Sequence, residues 1–146
     1  MKFNEFYSLT IVHSRDIILV KGVDYMNITK QKSQKTFDKQ AADYDTNIQG
    51  EHARKLYKPI IENLKNKNIH SILDLGCGTG ALLKEIKELN IAEQLFGIDI
   101  SPNMLEIAEN KLGNDATLIL GDSERLPFED SSFDAIVCND SFHHYQ

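Results

Sequence analysis

Three glycines at alternate positions, Gly76, Gly78 and Gly80, follow the run Ile72-Leu73-Asp74-Leu75 and lead directly into Ala81-Leu82-Leu83-Lys84-Glu85-Ile86-Lys87-Glu88-Leu89. Glycine has no Cβ, so the backbone can turn sharply there and come close to a ligand. A helix that starts behind such a turn aims its leading N–H groups and the positive end of its dipole at whatever sits in it. The chemistry is therefore the cradling of a small ligand. A plain strand-to-helix turn would need fewer glycines. Further on, Asp99 stands 19 positions past Gly80. An acidic residue at about that distance can accept hydrogen bonds from ribose hydroxyls. The competing reading is a surface aspartate capping the helix that opens at Ser101. Asp122, after Gly121, can accept from the exocyclic amine of an adenine, or can simply form a turn. Gly76, Gly78 and Ala81 also satisfy the dinucleotide fingerprint, so the glycines alone do not choose the ligand. Asp74 bears on that choice. Its carboxylate lies just before the turn, where it would repel a pyrophosphate and attract an ammonium or a sulfonium.

These residues need strand ends to hold them. Segments 71–75, 94–98, 117–120 and 133–138 have strand character. Each ends in a polar or glycine-rich signal: the glycine turn, Asp99, Gly121-Asp122-Ser123 and Asn139-Asp140. Between them, 80–89 reads as a helix with Leu82, Leu83, Ile86 and Leu89 inward. A second helix opens at Ser101-Pro102, with serine as cap and proline in the first position, and ends at Gly113. Met104, Leu105, Ala108 and Leu112 form its inner face. Strands alternating with helices imply a parallel, doubly wound α/β sheet, whose ligand lies beyond the carboxyl ends of the strands. Upstream, 30–46 reads as a polar helix and a loop. Segment 51–65 reads as an amphipathic helix with Ala53, Leu56, Tyr57, Ile60, Ile61 and Leu64 on one face, kinked or broken at Pro59. Residues 1–25 are rich in β-branched and aromatic side chains and differ from the rest. The division is 1–25 as an extension outside the core fold, 26–69 as amino-terminal helices and 70–146 as the ligand-binding domain. An added strand pairing with the sheet edge is the other reading of 1–25.

The bulk composition narrows the partners. The 146 residues carry a net charge of −6, unevenly spread. Positions 1–70 hold 12 basic against 8 acidic residues, and 71–146 hold 4 against 14. Phosphates would be repelled from the acidic half, so nucleic acid is not an expected partner there. The apolar run at 17–20 is too short to span a membrane and lacks a cleavage signal, so neither export nor anchoring is expected. Cys77 and Cys138 are too few for a structural zinc site, and no metal is expected. Both read as reduced thiols of a cytoplasmic protein.

The runs Asp74-Leu75-Gly76-Cys77-Gly78-Thr79-Gly80, Gly97-Ile98-Asp99-Ile100-Ser101, Gly121-Asp122-Ser123-Glu124-Arg125-Leu126-Pro127-Phe128 and Phe133-Asp134-Ala135-Ile136-Val137-Cys138 resemble the class I S-adenosylmethionine-dependent methyltransferases. The likeness is to their small-molecule group, which includes the ubiquinone and menaquinone biosynthesis enzymes. Upstream, Phe37-Asp38-Lys39-Gln40-Ala41-Ala42-Asp43-Tyr44-Asp45 is similar to that group's leading helix. The resemblance implies a Rossmann-like fold, S-adenosyl-L-methionine as cofactor and a small-molecule methyl acceptor. It also implies that the backbone of Gly76, Cys77 and Gly78 holds the methionine part, with Asp74 ordering that loop. Asp99 would bind the ribose, and Met104 or Ile100 would flank the adenine. Asp122 and Ser123 would read the adenine edge, Asn139 would border the methyl-transfer region, and Tyr44 would close over the cofactor. If the acceptor must lose a proton, His143 and His144 are the candidate bases, with packing or surface roles as the alternative.

The family sheet has seven strands, whereas four are countable before Gln146. A truncated chain with an incomplete sheet is thus expected. The strand at 133–138 would lie beside 71–75 with its outer edge open to self-association, unless 1–25 folds back over it. The alternatives to a methyltransferase are a non-catalytic S-adenosylmethionine-binding module and, third, a nicotinamide-dependent oxidoreductase fragment.

Overall fold

The computed structural model describes residues 9–13, 16–20, 30–47, 50–122 and 125–139. Its elements in chain order are β1 (Leu9–His13), β2 (Asp16–Val20), α1 (Lys30–Gln40), α2 (Glu51–Leu64), β3 (Ser71–Leu75), α3 (Ala81–Glu88), β4 (Gln94–Asp99), α4 (Pro102–Leu112), β5 (Ala116–Leu120) and β6 (Ala135–Asn139). They build one six-stranded sheet in the order β2-β1-β6-β3-β4-β5. The four strands from β6 to β5 are mutually parallel, and helices α3 and α4 connect three of them. This is the α/β sheet that the alternation of strands and helices implied. Its central strand, β3, is buried along its whole length, as a strand covered on both faces must be.

The pleat divides the core into two sides. Ile72, Leu95, Ala135 and Val137 face α2, α3 and α4, which contribute Ile60, Ile61, Leu64, Leu82, Leu83, Ile86, Leu105 and Leu112. Leu73, Leu75, Ile98 and Cys138 face the other way, against Phe96, Phe128 and Phe133. Those three rings meet edge to face, with centroids 4.8–6.3 Å apart. At the entry to β6, Asp134 Oδ2 accepts from the N–H groups of His70 and Ser71, both at 2.9 Å, which fixes β6 against β3.

Several expectations need correction. Leu89, expected inward, is 47% exposed just past the end of α3. Helix α2 is not broken at Pro59. Lys55, Pro59 and Asn63 all lie on its exposed side, so the Lys55 carbonyl that loses its helical donor at Pro59 faces water; one turn on, Asn63 Nδ2 donates to the Pro59 carbonyl. Of the two expectations for the edge of β6, open to self-association or covered by 1–25 folding back, the second holds. β1 pairs with it antiparallel from Leu9 opposite Asn139 to His13 opposite Ala135, and β2 pairs outside β1. The sheet therefore ends in β2 and β5, and the hairpin supplies the pairing that β6 would otherwise lack.

Candidate functional site

The glycine turn is the centre of the site. Gly76, Gly78 and Gly80 have φ of 71°, 53° and 74°, a region that side chains with a Cβ rarely enter. The turn lies flat against β4. A Cβ on Gly97 would come within 2.8 Å of Cys77 Sγ, so glycine at that position is what allows the close approach. The N–H groups of Gly76 and Cys77 both donate to the Ile98 carbonyl, at 2.8 and 3.1 Å. The Gly78 N–H donates to Asp99 Oδ2 at 2.8 Å. The family resemblance assigned the backbone of these three residues to the methionine part of a cofactor, and its N–H groups already donate within the protein.

Two aspartates lie beneath and beside the turn. Asp99 is 9% exposed and bridges two loops, because its Oδ1 accepts from the Ser101 N–H at 2.8 Å. It is a buried strut with one bond into the helix cap, rather than a surface residue. Burial pushes its acid up, the N–H groups of Ser101, Gly78 and Ile100 pull it back, and the charge of Asp38 adds to the push. A carboxylate oxygen holding one bond still has a lone pair for a hydroxyl. Asp74 is 2% exposed, and its Oδ1 has no hydrogen-bond partner among the described residues. Burial, then the negative charge of Asp99, raises its pKa to about 8. A buried carboxyl in that condition calls for a cationic or hydrogen-bond-donating partner.

The other expected residues fall around this pair. Met104 is fully buried, and its N–H donates to the Ser101 Oγ cap at 3.1 Å, while Ile100 is half-buried at the end of β4. The loop of Asp122 hangs on that of Asp99 through a bond from the Gly121 N–H to the Asp99 carbonyl at 2.9 Å. Asn139 is buried at the end of β6, where its Nδ2 donates to the Ala53 carbonyl of α2 at 3.1 Å. Tyr44 packs edge to face on Phe37, and its carbonyl accepts from Arg54 Nη1 at 2.8 Å. Ser123, His143 and His144 lie outside the described residues. Among the described residues, no group of three or more His, Cys, Asp or Glu could hold a metal ion.

Sequence reasoning missed Tyr57, Thr79 and Lys111 as site residues. The Tyr57 phenol is held protonated by burial and by the charges of Asp74 and Asp45. Thr79 Oγ1 donates to Asp45 Oδ1, and Lys111 Nζ donates to Asp45 Oδ2 at 2.6 Å. Tyr57 reads in sequence as part of an apolar helix face and Lys111 as an ordinary helix lysine, so no local signal marks them.

Comparison with known proteins agrees with this geometry. A family model described as a methyltransferase domain matches residues 72–146. The demethylmenaquinone methyltransferase of Thermotoga maritima is 35% identical over 120 residues, covering 80% of this chain and 52% of that protein. The malonyl-[acyl-carrier protein] O-methyltransferase of Priestia megaterium is 34% identical over 118 residues, covering 79% and 42%. Among solved structures, the complex of the Haloferax volcanii Trm112 methyltransferase activator with a methyltransferase matches with a TM-score of 0.56 at 30% identity, covering 67% of this chain and 44% of that one. The chain spans about half the length of the curated relatives it matches. The glycine turn with its two buried aspartates lies within the matched region, and the chain belongs to the methyltransferase domain family, in its class I, S-adenosylmethionine-dependent division.

Proposed function

We propose that this chain is the cofactor-binding portion of an S-adenosylmethionine-dependent methyltransferase that acts on a small molecule. The observation that carries the proposal is Asp74: a buried carboxyl at the glycine turn, with one oxygen lacking a partner among the described residues. The ammonium of an aminoacyl group, directly or through a water, would satisfy it. Ionising Asp74 stabilises a cationic group and not an anionic one, so the turn favours an aminoacyl ammonium over the pyrophosphate of the nicotinamide alternative. Asp99 and Asp122 would take the ribose and adenine ends, with the Ser123 amide beside Asp122. The cofactor, when bound, supplies a methyl group already activated on a sulfonium. The protein's share is then alignment and the exclusion of water, for which a gain of about 7–11 kcal/mol is the upper range. The named relatives act on chemically different acceptors, so cofactor binding is the part we carry over. A cytoplasmic location is part of the proposal, supported by the free, buried thiols of Cys77 and Cys138.

Calorimetric titration with S-adenosylhomocysteine and with NAD tests the reading. Binding of the sulfur nucleoside without binding of NAD is the expected result. Binding of NAD alone would overturn it. Within the same assay, Asp99→Ala is expected to weaken S-adenosylhomocysteine by about 1.5–3 kcal/mol, the range for hydrogen bonds to a charged group. Affinity unchanged in a folded variant would leave Asp99 as a strut between loops and no more.

A further inference from the structure

The glycine turn is held from two sides. Its first half, Gly76 to Gly78, hangs on β4 through the Ile98 carbonyl and the Asp99 carboxylate. Its second half, Thr79 and Gly80, leans on the end of α4. A Cβ on Gly80 would come within 2.8 Å of Leu112 Cδ1 and 3.1 Å of Ala108 Cβ. From the same end of α4, Lys111 Nζ donates to Thr79 Oγ1 at 3.2 Å and to Asp45 Oδ2 at 2.6 Å, and Thr79 Oγ1 donates to Asp45 Oδ1. Thr79 is 3% exposed and sits between two glycines of positive φ. A hydroxyl has one proton to give and lone pairs to receive. Here the proton goes to Asp45 and a lone pair faces the ammonium, so the two charged partners together fix the side chain.

Asp45 is itself a fixed post. Arg54 of α2 donates to the carbonyls of Tyr44 and Asn47, at 2.8 and 2.6 Å, on either side of it. The Asn47 side chain ties Asp43 to Gly50, donating to Asp43 Oδ1 at 3.0 Å and accepting from the Gly50 N–H at 2.8 Å. Burial would raise the Asp45 acid, but the hydrogen bonds from Lys111 and Thr79, with the charges of Lys111 and Arg54, outweigh it and hold the acid below its ordinary range. The Asp45–Lys111 pair is partly solvated, with side chains 38% and 18% exposed, and such pairs add little to stability. What the pair can do is hold a shape, because a ligand that finds its turn already formed need not order it.

We propose that Lys111 is a positioning residue for the cofactor: acting through Asp45 and Thr79, it keeps the second half of the glycine turn in the shape that receives the aminoacyl end. The inference rests on the cofactor reading above and adds to it a side chain that works through others.

Calorimetric titration with two ligands tests it. S-adenosylhomocysteine and methylthioadenosine share adenine, ribose and a thioether, and only the first carries the aminoacyl group. Lys111→Met and Thr79→Val are each expected to weaken S-adenosylhomocysteine by about 5–10-fold while methylthioadenosine changes by less than about twofold. Lys111→Arg keeps the charge and should stay within about threefold of the parent for both ligands. The double variant should bind no more weakly than the weaker single one, because both changes break one chain of bonds. A merely structural role would lower the thermal midpoint and weaken both ligands alike, and that result overturns the proposal. Unchanged affinities in folded variants overturn it too, as do losses that multiply in the double variant. If Lys111→Met does not fold, Asp45→Asn breaks the same ion pair with little change of shape and carries the same expectation. Absence of S-adenosylhomocysteine binding by the parent overturns the cofactor reading and this role with it, whereas binding by the parent with both ligands weakened alike in the variants overturns the role alone.

Discussion

Asp74→Asn is expected to stabilise the ligand-free protein at pH 8 and above while weakening its hold on S-adenosylhomocysteine. The two effects have opposite signs because one carboxyl serves two states. Without ligand, the folded protein keeps this acid protonated up to about pH 8, whereas the unfolded chain ionises it near 3.8. Over that window the folded state binds more protons, so stability falls as pH rises, and above about 8 the loss is complete. Replacing the acid by its neutral isostere removes the loss. One buried, unsatisfied group is worth about 1–3 kcal/mol. For a domain of this size that is roughly 2–4 °C in thermal midpoint per kcal/mol. The gain should be small near pH 4 and largest at pH 8 and beyond. Binding should drop by about 1.5–3 kcal/mol through loss of a charged hydrogen bond. A cationic ligand also draws Asp74 into its ionised form, so binding to the parent near pH 6.5 should release protons, read as a dependence of binding heat on the buffer's own ionisation heat. A midpoint that falls at every pH, with binding unaffected, would mean that Asp74 merely packs.

Removal of residues 1–25 should move the free edge of the sheet from β2 to the apolar β6 and promote association. β6 carries Ala135, Ile136 and Val137 and is paired on one side by β3 and on the other by β1. Without β1 its outer N–H and C=O groups become a template for another chain. Light scattering of the full and shortened chains across micromolar concentrations is the direct comparison, with growth in mass expected for the shortened chain alone. Identical masses at all concentrations would show that the hairpin contributes nothing to keeping copies apart.

The parts of this structure that could be read in the sequence are those fixed by neighbours along the chain. β3, the glycine turn and α3 follow from Ile72, Leu73, Leu75 and three glycines. The Ser101 cap follows from Ser-Pro at a helix start, and the alternation of elements implies the parallel sheet. What could not be read depends on partners distant in sequence. Leu9 carries no mark that it lies opposite Asn139, and the outer edge of β5 could equally have accepted the hairpin. Lys111 looks like any lysine in a last helical turn, yet its charge closes on an aspartate 66 positions away. The outcome at Pro59 turned on which side of α2 faces water, and periodicity shows the apolar face more clearly than it shows what proline disrupts. Asp74 was legible as a charge near a turn, but its deep burial depends on β4 and β6 flanking it.

The pairing of β1 with β6 also has a consequence for biosynthesis. The two strands are about 130 residues apart, with the hairpin near the start of the chain and its partner near position 139. At about 5–20 residues per second, β6 leaves the ribosome on the order of 6–26 s after β1. A two-stranded hairpin by itself is marginally stable in water, so for that interval the run Asp16-Ile17-Ile18-Leu19-Val20 is without the sheet that later holds it. Nascent chains are thus exposed to mispairing with each other during synthesis, and slow translation would lengthen the hazard where it commonly relieves it. A chaperone that shields the first twenty-odd residues until β6 emerges would raise the yield of native protein without touching its final stability.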